Sequence, residues 1–176
     1  MVIEINEKGS EAFYREAVNV TAQYRSFLKK PERKLSDMQK NLVLYMVLCG
    51  VLFALMIIMG MAWGFDGMTV AGTAVAGLAF LLSAAYLSTV KKAVKTMMED
   101  PRTSVVTLDE RGVELNKQDS QVVRLGWDNI AFVRSFAESL CIFSKDSTGL
   151  VIAVDKKHQD GILSYLRENH AEVRVL

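Results

Sequence analysis

The residues whose types could do chemistry are few, and their spacing does not bring them together. A metal site draws on three or four His, Cys, Asp or Glu ligands at short, set intervals. The two histidines, His158 and His170, stand twelve positions apart with no cysteine or paired carboxylate at ligand spacing, so no metal and no cofactor is expected. Ser139 and Cys141 are nucleophiles by type, but a nucleophile needs an adjoining base, and none can be identified from the sequence beside them. GxSxG, HExxH, Walker and dinucleotide patterns do not occur either. Asp128 has the type of a general base, yet next to Trp127 it is explained more simply as the cap of a turn. The expectation is a protein that is not an enzyme.

Two features remain as candidate contacts. Lys156, Lys157 and His158 form a basic knot that would meet an anion or a partner, or else stay solvated as ordinary surface. Trp127 is expected to be a structural anchor of the core or of a sheet edge rather than a ring on which a ligand stacks. Cys49 lies in an apolar run and Cys141 in a strand far along the chain, and both are expected to be buried, unpaired side chains of a reducing compartment.

The elements that would position these groups fall into two solvents. Hydrophobic residues make up 51% of the 176, an ordinary fraction, but the run from Asn41 to Val90 carries a single charge, Asp66. Asn41 to Trp63 is uncharged and about 34 Å long as a helix, enough to cross a hydrocarbon core of about 30 Å. A second uncharged run extends from Met68 to Val90, and Gly64 to Gly67 leave room only for a tight turn. This predicts a transmembrane helical hairpin over residues 36–95, with spans at about 41–63 and 68–90. Ser36 with Gln39 has the pattern of a capping box at its start. Tyr45, Trp63, Phe65 and Tyr86 fall near the span ends, where amphipathic rings favour headgroups.

Arg25, Lys29, Lys30, Arg33, Lys34 and Lys40 precede the first span, Lys91, Lys92 and Lys95 follow the second, and the turn has no cation. By the positive-inside rule this predicts a multi-pass protein with both termini cytoplasmic. Gly60 and Gly64 are four apart on the first helix and Gly72 and Ala76 on the second, which predicts close helix packing within the hairpin or a homodimer face. The spans hold no ionisable group of the kind transport pathways use. The net charge of +1 argues against nucleic acid as a partner.

The polar segments read as follows. Residues 1–35 are expected to form a short strand, Val2 to Ile5, and a juxtamembrane amphipathic helix capped by Ser10 and carrying Phe13, Ala17, Val20, Tyr24 and Leu28, ended by Pro31. That helix would either lie on anionic lipid or pack on the C-terminal domain. From 101 to 176 the apolar period becomes two, through Val106, Leu108, Val113, Leu115, Val123, Leu125, Phe132, Leu140, Ile142, Ile152 and Val154. Such alternation describes short antiparallel strands with one face buried, turning at Asp109 to Gly112, Lys117 to Ser120 and Lys145 to Gly149. Asp155 would cap a closing helix with Ile162, Leu163, Tyr165 and Leu166 on its apolar stripe. The fold class expected is a membrane protein with a two-helix hairpin and a small α+β domain, an antiparallel sheet closed by a C-terminal helix.

Two adjacent spans followed by Val105 to Asn116, then Val122 to Val133, a hairpin and a closing helix resemble the YcxB-like C-terminal domain of bacterial membrane proteins, over nearly the whole chain. Leu125, Gly126, Trp127, Asp128, Asn129 and Ile130 carry the most telling part of the likeness, while Asp155 stands where the family would have a proline. The resemblance implies a pleckstrin-homology-like cytoplasmic domain in the bacterial inner membrane and no activity. Its first hairpin turn, Asp109, Glu110 and Arg111, lacks the cations that hold phosphoinositides in lipid-binding domains of that kind. The functional expectation is a non-enzymatic, membrane-anchored interaction module whose partners are the lipid bilayer and a protein in the cytoplasm or membrane. The alternative is a membrane sensor or accessory subunit that binds a small ligand or a lipid headgroup.

Overall fold

A computed structural model describes residues 2–5, 9–99, 104–117, 122–146 and 149–176. The chain divides into two compact units, residues 36–93 and a second one made of 1–35 together with 94–176. The N-terminal segment is thus part of the same unit as the C-terminal strands.

In order, the elements of the second unit are β1 (Val2–Ile5), α1 (Glu11–Ala22), α2 (Tyr24–Lys29) and, after the apolar helices α3 (Met38–Trp63) and α4 (Gly67–Glu99), β2 (Ser104–Asp109), β3 (Gly112–Lys117), β4 (Val122–Leu125), β5 (Ile130–Ser135), β6 (Ser139–Ser144), β7 (Val151–Asp155) and α5 (Gln159–Asn169). Among the described residues seven strands form two antiparallel sheets, β1-β2-β3-β4 and β5-β6-β7, rather than the one sheet expected. β1 pairs with β2 in the register Val2 to Thr107 through Ile5 to Ser104. The Lys117 to Ser120 turn, the residues around Pro101 and part of the Lys145 to Gly149 turn lie outside the described residues.

Local chemistry explains the element ends. Ser10 accepts the Phe13 amide at 3.1 Å and starts α1, as its position predicts. The single amphipathic helix expected is broken at Gln23, where a backbone conformation off the helical region separates α1 from α2. Asp37, not Ser36, caps α3: its carboxylate accepts the amides of Gln39 and Lys40 at 3.1 and 3.2 Å, while Ser36 accepts from the Asn41 side chain. A carboxylate at that position also suits the positive end of the helix dipole. Asp66 caps α4 by accepting the Thr69 amide at 2.7 Å.

The core of the second unit has two parts. One lies between the sheets and under α5, with Val106, Leu108, Val133, Ile142, Ile162 and Leu166 among its members. The other gathers Val20, Tyr24 and Phe27 of α1 and α2 onto Phe132, Phe136, Cys141 and Phe143. Every residue of β6 is consequently buried. The expectation of strands with one buried face holds for β2 and β7 but not for β6, because α1 and α2 cover what would otherwise be its solvent side. This also decides between the two placements open to the N-terminal helix, whose apolar face packs on the domain.

In the other unit, α3 and α4 are long and apolar enough to cross a membrane. None of the most apolar stretch of α3, and 6% of that of α4, is buried inside the protein.

Candidate functional site

The N-terminal helices are tied to the second sheet by three polar contacts. Glu16, 8% exposed, accepts the amides of Ala137 and Glu138 at 3.1 and 3.0 Å and the Ser139 hydroxyl at 2.7 Å. Its carboxylate therefore fills the tight β5–β6 turn, where backbone amides have no strand partner. The Tyr24 hydroxyl reaches the carbonyl of Ser144 at 2.9 Å and also lies against that of Asp146. Arg134 of β5 is sandwiched between the Phe27 and Phe136 rings, 5.2 and 4.8 Å from their centroids, and donates to the carbonyls of Pro31 and, at 2.8 Å, Arg33. Burial lowers the Arg134 pKa against the opposing field of Glu32. The guanidinium thus pins the linker that leads into α3.

Glu16 supplies Ser139 with the carboxylate that the sequence does not reveal, and Ser139 lies 3.4 Å from the Cys141 sulfur. By residue type this is a nucleophile beside a base. Its geometry is structural: Ser139 and Cys141 are both 0% exposed, and the carboxylate already holds three donors. Burial pushes the Cys141 thiol up to about 12, which leaves it protonated and unreactive. Cys49 and Cys141 are both free. Among the described residues no three His, Cys, Asp or Glu side chains gather at metal-binding distance.

Trp127 sits in the turn between the sheets and donates its indole N–H to the Asp109 carbonyl at 2.9 Å. Its ring packs on the inter-sheet core and stacks on His170, with centroids 3.9 Å apart and planes at 22°. His170 in turn meets the Glu172 carboxylate at 3.2 Å. Sequence reasoning considered His170 only as a ligand; its role as the platform for Trp127 depends on a contact 43 positions apart that no local pattern signals.

The basic knot does not converge. The Lys156 ammonium donates to the Phe136 carbonyl at 2.9 Å, Lys157 belongs to the turn that Asp155 caps, and the His158 Nε2 is buried without a hydrogen-bond partner. In the hairpin, Gly60 lies against the Phe65 ring, Gly72 against the end of Met56 and Gly77 against Phe53, while Gly64 ends α3 with φ +93° and faces open space. Ala76 lies half-buried on α4. Gly60, Gly72 and Gly77 thus make room for side chains of the hairpin itself.

Residues 174–176 line the outer edge of β5 in the second sheet. Val133 donates to the Arg174 carbonyl at 2.8 Å and accepts from the Leu176 amide at 2.9 Å, and the Ser135 amide donates to the Leu176 carbonyl at 3.3 Å. Val133 and Val175 pair as parallel neighbours. Val173 is buried in the inter-sheet core, Leu176 packs on the aromatic cluster beside α2, and Arg174 lies 3.9 Å from Glu32 of the linker.

The chain matches no family model, no curated protein and no solved structure.

Proposed function

We propose that the chain is an integral membrane protein of the YcxB-like kind, whose α3–α4 hairpin anchors a non-enzymatic, pleckstrin-homology-like domain that binds a protein partner. The observation that carries this reading is the uncovered apolar surface of α3 and α4. Helices apolar on all sides belong inside lipid or inside a large core, and this protein offers them no such core. The two antiparallel sheets followed by α5 support the pleckstrin-homology-like reading of the strand-containing unit. The sequestered state of Ser139 and Cys141 and the acidic turn at Asp109 favour recognition over catalysis or phosphoinositide binding. The cations flanking the hairpin support an orientation with both termini cytoplasmic, and the YcxB-like resemblance a bacterial inner membrane.

Single cysteines at Met68 and Arg167, both exposed, test the anchor and its orientation. A membrane-impermeant maleimide should label Met68→Cys in intact cells and Arg167→Cys only after permeabilisation; the reverse pattern, or loss of the protein from the membrane on alkaline washing, would sink the reading. For the partner, a photocrosslinking residue at Lys145 in living cells should capture one protein reproducibly. Capture of lipid alone would transfer the domain to headgroup sensing.

A further inference from the structure

We propose that the outer edge of β5 is a strand-addition site for an extended segment of the partner protein, closed in this structure by the chain's own residues 174–176. The inference rests on the interaction-module reading and names the surface that the reading leaves open. An unpaired strand edge is a template for another strand, and recognition by strand addition takes its affinity from main-chain bonds and its specificity from alternate side chains. The tail uses the edge in that manner: it satisfies the amides of Val133 and Ser135 and the carbonyl of Val133.

The tail also shows what the site accepts. Val173 and Leu176 are three residues apart, and in an extended segment such positions point to opposite faces. One enters the core between the sheets and the other the aromatic cluster against α2. Arg174, between them, faces Glu32. The occupant is therefore an extended peptide with two apolar side chains three apart and a cation following the first. Three backbone bonds hold residues 174–176 on β5, and Arg174 and Val175 are exposed, so an extended strand from a partner can make every one of those bonds in their place.

The test compares the 176-residue chain in lipid nanodiscs with a chain ending at Val173 and with the Leu176→Asp variant, whose charge would be expelled from the aromatic cluster. The probe is a fluorescent peptide with the sequence of residues 170–176. Both altered chains should bind it at least tenfold more tightly than the intact chain, and a peptide carrying Asp in place of its final Leu should not bind. Absence of binding to a variant that still melts cooperatively, or equal binding to intact and altered chains, would overturn the proposal. So would an intact chain that is dimeric and becomes monomeric on truncation, since the edge would then serve a second copy of the chain. Should the peptide bind while crosslinking at Lys145 captures no protein, the partner reading fails and the site stands. Should a protein be captured equally well when β5 is saturated with peptide, the partner docks elsewhere and the site fails.

Discussion

Replacing Glu16 with Ala would leave the buried Ser139 hydroxyl without its acceptor and turn the amides of Ala137 and Glu138, which belong to exposed residues of the turn, over to water. With about 1–3 kcal/mol for the one buried group left unpaired, and the two turn amides passing to water, the loss should be roughly 2 kcal/mol, read as a fall in the denaturant midpoint of the strand-containing unit. Glu16→Gln keeps one acceptor and should lose about half as much. Cys141 gives a pH dependence of known sign. Its thiol goes from 9.0 in an unfolded chain to about 12 when buried, so its contribution is complete below pH 9 and declines as the pH rises from there toward 12. Cys141→Ala should flatten that alkaline decline, measurable as the difference between midpoints in mildly and strongly alkaline buffer. Ser10 was legible because a cap and its amide are neighbours in sequence. Glu16 was not, because its partners lie 121 to 123 positions away and a glutamate in a polar amphipathic helix reads as solvent-facing.

Among the elements, the β2–β3 turn depends on Gly112. Its φ is +147°, and a Cβ there would lie 2.2 Å from the Leu125 carbonyl oxygen, a backbone atom that cannot swing away. Gly112→Ala should cost at least about 2 kcal/mol and broaden the amide resonances of β3 and β4 in NMR spectra. Gly72→Ala should be tolerated, since the atom in its way is the mobile end of Met56, and should leave the proteolysis pattern of the hairpin unchanged. Alternation located the six strands after α4 and the 3.6-residue period located α5, because each pattern is written within one element. Period alone does not say which strands share a sheet. It also misjudged β6, where Leu140 and Ile142 mark one buried face while Cys141 and Phe143 on the other are buried by helices from the opposite end of the chain.

The whole strand-containing unit is discontinuous in sequence, and this sets its behaviour as a fragment. Residues 101–176 alone lose β1, α1 and α2, which exposes Phe132, Phe136 and Phe143 and the edge of β2. Such a fragment should bind a hydrophobic dye and melt without cooperativity, whereas a chain in which a short flexible linker replaces residues 36–93 should melt as one unit; calorimetry separates the two outcomes. The split arrangement also imposes an order on synthesis. α1 and α2 leave the ribosome roughly a hundred residues before the strands they cover, and at about 5–20 residues per second that is a wait of about 5–20 s. For that interval Phe13, Val20, Tyr24 and Phe27 have no partner, while the apolar helices that follow are being made. A nascent amphipathic segment in this state has the surface that chaperones hold, and the translation machinery must keep it from aggregating until β6 arrives.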